Sequence, residues 1–230
     1  MWTPDPAATE SVACYYCGSS SFSPLVIAQD DLTGKPGDFR FVTCDQCGLA
    51  YQTPRIPLER IGEWYDDEYI SHRKKTQWGP LTWFYRRGMD KHDRDKKRLV
   101  ARYVKLTSSS RVLDVGCGAG TFLAWLKRHH EVQAEGVDFK DLSSLPSFSS
   151  FQFHQGLFYE QPLADNAYDL ITMWHFLEHC YDPLRSLATA RRILAPEGRL
   201  VIEVPRLDSV SFKLYHERWP GLLAPQHTVL

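Results

Sequence analysis

The sequence predicts an α/β chain, a Rossmann-like doubly wound sheet preceded by a small cysteine-bearing module. Three observations carry that expectation. At 109–126, SSRVLDVGCGAGTFLAWL, an apolar strand runs into a glycine-rich turn and then a helical pattern. Strand and helix patterns alternate from there to about residue 204. Two C-x-x-C pairs fall within the first 50 residues.

The cysteine module comes first in the chain. Cys14 and Cys17 (ACYYCGSS) and Cys44 and Cys47 (VTCDQCGL) are each followed directly by a glycine, with 26 residues between the pairs. Four thiolates suit a closed, tetrahedral, structural zinc site, and the spacing favours this over thiol pairs that are merely redox-active or buried. A glycine after the second cysteine lets the chain turn tightly in a left-handed conformation. Between the pairs, SPLVIAQDD and DFRFVTC read as strands around the turn signal TGKPGD, a zinc-ribbon hairpin over residues 1–60. Zinc would hold structure there and leave no open position for catalysis.

Composition limits the rest. The 230 residues are 43% hydrophobic and 24% charged, which excludes disordered, collagen-like and fibrous classes. A net charge of −1 argues against a globally basic nucleic-acid binder. The charge is nevertheless segregated. Residues 1–70 carry 4 Lys/Arg against 11 Asp/Glu, residues 71–105 carry 12 against 3, and residues 106–230 carry 11 against 14. The basic block includes Arg86, Arg87, Lys91, Arg94, Lys96, Lys97 and Arg98. It lies in an expected linker and charged helical segment at 61–106, as the solvated face of helices that turn Leu99, Val100 and Tyr103 inward. An anion-binding surface is the competing reading. No apolar run reaches the ~18–20 residues of a membrane span. The start, MWTPDPAATESVA, lacks the features of a signal peptide, so a cytoplasmic location is expected.

Residues 107–230 are expected to form the core domain. Arg111–Val115 is the first strand, and the GCGAG turn delivers the N-terminus of the helix TFLAWLKRHH to the strand's carboxyl end, where open α/β sheets bind ligands. A dinucleotide fingerprint would place its third glycine at position 121, which is threonine. Gly116, Gly118 and Gly120 give G-x-G-x-G instead. With Asp114 ahead of them they resemble the first motif of the class I S-adenosylmethionine-dependent methyltransferases, and the resemblance runs over roughly residues 95–230.

That resemblance implies further roles. Asp138, ending the second strand VQAEGVDF, would accept hydrogen bonds from the ribose hydroxyls. The cofactor-contacting set would be Asp114, Gly116, Cys117, Gly118, Gly120, Asp138, Phe139, Leu157, Phe158 and Trp174. Leu157 and Phe158 stand where relatives often carry an acidic adenine contact, and Trp174 with His175 would line the sulfonium and methyl end. WHFLEHCYDP is similar to the family's motif after the fourth strand, with Asp182 and Pro183 capping the next helix. Leu194 to Gly198 resembles the family's L-x-P-G-G turn, with Glu197 in place of its first glycine, and leads into a fifth strand, RLVIEVP. His175 and His227 are the candidate catalytic bases, and His175, Glu178 and His179 could alternatively be metal ligands or set loop geometry.

The family's sheet has seven strands and only five are countable here, so a C-terminal truncation is expected, with an uncovered fifth-strand edge and low solubility. The cysteine module ahead of this core resembles the arrangement in sugar C-methyltransferase-like enzymes. The function expected is therefore methyl transfer from S-adenosylmethionine to a small-molecule, sugar or glycan acceptor, with structural Zn2+. A zinc-ribbon RNA methyltransferase is one alternative, weakened because the ribbon is acidic. A noncatalytic cofactor-binding or scaffold protein is another.

Overall fold

The computed structural model describes residues 9–31, 34–65 and 94–230. The chain divides into two units: the first gathers Met1–Tyr69, His175–Ser186 and Val204–Leu230, the second Ile70–Trp174 and Leu187–Glu203. This partition cuts across the three consecutive segments expected from the sequence, because residues 175–186 and 204–230 group with the cysteine module.

In the first unit, strands β1 (Phe22–Gln29), β2 (Asp38–Cys44) and β3 (Ala50–Gln52) form an antiparallel sheet in that order. The first two are the anticipated hairpin, and the third was not foreseen. Gly18 and Gly48 have φ of 73° and 78°. Their N–H groups donate to the carbonyls of Cys14 and Cys44 at 2.9 Å, closing each knuckle as a tight left-handed turn. Chain from the far end of the sequence joins β3: the Gln52 N–H donates to the Thr228 carbonyl and the Leu230 N–H to the Ala50 carbonyl, both at 2.9 Å. Phe39, Phe41, Ile56, Trp64, Trp219 and Leu222 make the apolar centre of this unit. The segment after residue 175 is anchored to it by Tyr181, whose hydroxyl donates to the Ile56 carbonyl at 2.7 Å and whose ring lies 4.2 Å from the Arg55 guanidinium.

The second unit is a parallel sheet of β4 (Arg111–Val115), β5 (Gln133–Asp138), β6 (Gln152–Gln155), β7 (Tyr168–Trp174) and β8 (Leu194–Glu203), ordered β6-β5-β4-β7-β8. These five strands are those among the described residues, and they match the α/β class the sequence predicts. Central strands buried on both faces need continuous apolar runs, and Val112, Leu113, Leu170 and Ile171 supply them. Helix α1 (Thr121–His130) presents Phe122, Leu123 and Leu126 to the sheet and ends at Glu131 in a left-handed conformation. Helix α2 (Pro183–Ile193), whose residues up to Ser186 group with the first unit, has the cap expected for it, the Arg185 N–H donating to Asp182 Oδ1 at 2.9 Å.

Two local expectations are corrected. Residues 94–103 are helical, but only Val100 of the three named apolar residues turns inward; Leu99 and Tyr103 are exposed. The inward face runs through Val100 and Val104, one helical turn apart, and Lys96 and Lys97 on the same side place their ammonium groups over the rings of Trp174 and Trp125 at 5.1 and 4.7 Å. Arg86, Arg87 and Lys91 lie outside the described residues. The second correction is at Leu194–Gly198. It is a bulge within β8 and not a turn before it: Tyr168 pairs with Leu194 and Leu170 with Arg199, so four residues loop out of register. Gly198 is required there, since a Cβ would meet the Tyr168 carbonyl oxygen at 2.7 Å. The edge strand β8 leaves Ile202 exposed, and Val204 just beyond it is exposed as well.

A buried polar cluster ties the lower part of the sheet. Glu135 accepts hydrogen bonds from Arg111 at 2.8 Å and from the Tyr168 hydroxyl and His154 Nε2 at 2.9 Å. Burial opposes its ionisation, but the bonds from His154, Arg111 and Tyr168 outweigh it and hold the carboxyl at about 2. Its contribution to stability is therefore complete above the unfolded value of 4.5 and is lost as pH falls toward about 2. Glu135→Gln should lower stability by about 1–3 kcal/mol at pH 7 and flatten that part of the acid limb. Urea midpoints measured from pH 7 to pH 2 check both effects; parallel curves for the two proteins would refute the assignment.

Candidate functional site

The turn after β4 is built from left-handed glycines. Gly116, Gly118 and Gly120 have φ of 69°, 51° and 68°, which side chains other than glycine rarely adopt. The Gly116 and Cys117 N–H groups donate to the Val137 carbonyl at 2.8 and 3.1 Å, drawing the turn over the end of β5. At Gly120 a Cβ would come within 2.5 Å of the Phe151 ring. At Gly136, under the turn, it would come within 2.8 Å of the Cys117 sulfur. Ser147 braces the turn from outside by donating to the Ala119 carbonyl at 2.7 Å.

Two carboxylates frame this turn. Asp114, buried in β4, accepts from the hydroxyl of its cross-strand neighbour Thr172 at 2.5 Å. Burial drives its carboxyl up to about 7, against the Thr172 bond and the charge of Lys96. Asp138, at the end of β5, accepts from the Gly118 N–H at 3.0 Å through Oδ2 and from the Lys140 N–H at 3.1 Å through Oδ1. Its pKa is also raised by burial, partly offset by those main-chain donors.

The remaining expected contacts follow along the carboxyl end of the sheet. Phe139 is exposed beside Asp138. The Gly156 N–H bonds the Asp138 carbonyl at 2.9 Å, leading into half-buried Leu157 and buried Phe158. Trp174, ending β7, packs edge-on against Phe122 with ring centroids 5.4 Å apart, and its buried Nε1–H has no hydrogen-bond partner among the described residues. Three cradling residues escaped the sequence reading. Thr172 had a visible signal, a lone hydroxyl residue in the buried run DLITMW; Gly136 and Ser147 had none without the fold.

The other candidates belong to the first unit. The sulfurs of Cys14 and Cys47, and those of Cys17 and Cys44, are 3.5 Å apart, and all four lie within 4.8 Å of one another as free thiols. Bonds of about 2.3 Å to a tetrahedral zinc place sulfurs about 3.8 Å apart, so the arrangement fits that ion. His175 has φ of 54°, a side chain 44% exposed, and Nδ1 2.9 Å from Glu178 Oε1. His227 is instead 4% exposed, with Nδ1 2.8 Å from the Gly221 carbonyl oxygen. Burial holds the pKa of His227 well below the ordinary value, and that of His179 below it.

A parallel sheet with a left-handed glycine turn at the end of its central strand and a carboxylate on the next strand defines a Rossmann-type cofactor-binding unit. Residues 85–230 match the family described as a methyltransferase domain, and the chain belongs to that family. The chain is 33% identical over 138 residues to a demethylmenaquinone methyltransferase of Deinococcus radiodurans, covering 54% of this chain and 57% of that protein. It is 28% identical to a ubiquinone/menaquinone biosynthesis C-methyltransferase of Geotalea daltonii, covering 54% and 58%. Among solved structures, a SAM dependent methyltransferase from Aquifex aeolicus is similar with a TM-score of 0.41 and 22% identity, over 47% of this chain and 62% of that one. The chain spans less than two thirds of the curated relatives it matches, 31%, 40% and 57% of three of them.

Gly120→Ala tests the turn. The added methyl meets both an unfavourable φ and the Phe151 ring, so the variant should lose more than about 1 kcal/mol of stability. Thermal unfolding compares it with Gly62→Ala, where a Cβ has open space and no large loss is expected.

Proposed function

We propose that the protein transfers the methyl group of S-adenosylmethionine to a small-molecule acceptor of sugar or glycan type, with a structural zinc on Cys14, Cys17, Cys44 and Cys47. The carrying observation is the Asp138 carboxylate, fixed by the main-chain N–H groups of Gly118 and Lys140 at the mouth of the glycine turn. An ionised carboxylate offers about four acceptor positions, and the Gly118, Lys140 and Phe139 N–H groups act on it without exhausting them, leaving acceptor capacity for a ribose hydroxyl.

In this reading the backbone of Gly116, Cys117, Gly118 and Gly120 approaches the cofactor closely because no Cβ intervenes, and Asp114 sets the turn's position from beneath. Phe139, Leu157 and Phe158 flank the adenine. Trp174 stands at the sulfonium end, with its unpartnered indole N–H as a donor for a cofactor oxygen. Bound cofactor supplies an electrophilic methyl group. Transfer of that methyl group would leave S-adenosylhomocysteine and release the acceptor's proton, which a side chain of this protein would have to take up. His175, next after Trp174 in the chain and oriented by Glu178, is the proposed base; its exposure favours it over buried His227. The names of the matched relatives support a quinol as the competing acceptor.

Calorimetry with S-adenosylmethionine tests the cofactor site. Asp138→Ala should weaken binding by about 1–3 kcal/mol, roughly tenfold or more, and unchanged affinity would remove its ribose role. Labelled methyl transfer offered in parallel to sugar nucleotides, quinols and RNA decides the acceptor class. For the zinc, Cys44→Ser should abolish retention of one ion per chain, measured by elemental analysis after gel filtration, and should lower the unfolding temperature of the first unit.

A further inference from the structure

We propose that Glu178, His179 and His227 form a second divalent-metal site, separate from the four thiolates, for a zinc-class ion with an open coordination position. One carboxylate oxygen of Glu178 and one ring nitrogen each of His179 and His227 lie within 4.8 Å of one another, all in the first unit. The site does not rest on the methyl-transfer reading.

Four features make this a built site. Glu178 is 1% exposed; its Oε1 faces His175 Nδ1 at 2.9 Å, while its buried Oε2 has no hydrogen-bond partner among the described residues. An orphaned carboxylate oxygen in the interior is costly unless a cation or proton meets it. His227 has its Nδ1 against the Gly221 carbonyl at 2.8 Å, and His179 has its Nδ1 near both the Gln226 carbonyl at 3.1 Å and the Tyr65 hydroxyl oxygen at 2.8 Å. A carbonyl can only accept, so each contact favours the Nδ1–H tautomer that offers Nε2 as a ligand; at His179 the proton is then shared between the Gln226 carbonyl and the Tyr65 oxygen. The two rings are already stacked edge to face with centroids 4.5 Å apart. The backbone that carries them is also tied: the Thr228 N–H donates to the Glu178 carbonyl at 2.7 Å and its hydroxyl to the Cys180 carbonyl at 2.6 Å.

Two imidazoles and one carboxylate suit ions such as Zn2+, Co2+ or Fe2+. With Glu178 contributing one oxygen, a four-coordinate ion keeps one position for water or a ligand oxygen. Ligands at about 2.1 Å around a tetrahedral ion are about 3.4 Å apart, so from separations within 4.8 Å the three side chains would close by at most about 1.4 Å on binding.

Protein preloaded with one equivalent of Zn2+, enough for the thiolates, is titrated with further Zn2+ and followed by 1H–15N correlation spectra of the histidine rings. A second equivalent should bind and shift the Nε2 resonances of His179 and His227 while their Nδ1 stays protonated. Glu178→Gln should weaken this second ion tenfold or more and leave the first in place, whereas Cys17→Ser should do the reverse. Unshifted Nε2 signals at a hundredfold excess of zinc would overturn the proposal, as would a Glu178→Gln protein that titrates like the original. If that variant does not fold, the ring resonances of the unaltered chain decide alone.

Discussion

The second unit depends on the bond from the Gly118 N–H to the Asp138 carboxylate. It joins the turn after one strand to the end of the next, and the neighbouring bonds to the Val137 carbonyl reinforce it. Three alternate positions in the left-handed region are unfavourable for a chain on its own, so the turn needs such external anchors. Once anchored, it determines where α1 starts, where Cys117 fits over Gly136, and why Phe148 and Phe151 can close against Gly120. The same carboxylate that holds the turn is the one proposed to meet the ribose. Structural and binding roles thus share a group, and the main-chain donors that fix Asp138 also prepare it as an acceptor.

Asp114 shows the complementary case. Among the described residues its hydrogen-bond donor is the Thr172 hydroxyl, within a sheet centre of Val112, Leu113, Leu170 and Ile171. Burial raises its carboxyl to about 7, so near neutrality it is poised between charged and neutral forms. An acidic residue placed at the carboxyl end of the central strand is expensive in isolation, and its position next to a nucleotide-type site is where such expense recurs.

Much of this was legible because it is local. The strand at Arg111–Val115, the helix from Thr121 and the cap at Asp182 each depend on residues within a few positions of one another, and each appears where the pattern put it. The paired cysteines were legible for the same reason, since each knuckle closes on its own glycine. What escaped was non-local. Strand β3 is three residues long and is supported by residues 228 and 230, a pairing with no signature in AYQ itself. Leu99 and Tyr103 misled because hydrophobicity alone does not tell which of two adjacent helical faces turns inward; the face through Val100 and Val104 won because Val100 joins the apolar cluster that Val104 also packs against, while Lys96 and Lys97 cover tryptophan rings beside them.

The same contrast separates the two metal arrangements. The four thiolates come from one stretch of chain, Cys14 to Cys47, and can be brought together by two tight turns and a hairpin. Glu178 and His227 are far apart in sequence and meet only after the segments 175–186 and 204–230 have both joined the first unit. Such contacts form late, because the closure entropy of the intervening chain must be overcome before they contribute. Bonds from the Thr228 N–H to the Glu178 carbonyl and from its hydroxyl to the Cys180 carbonyl complete that closure without any ion. Their presence separates the two proposed sites in energetic terms: an ion on the four cysteines would stabilise the fold of the module that contains them, whereas an ion on Glu178, His179 and His227 would meet ligands whose backbone is already in place. Binding there draws on little ordering of the chain, which leaves such an ion free to exchange and its open position available to a ligand.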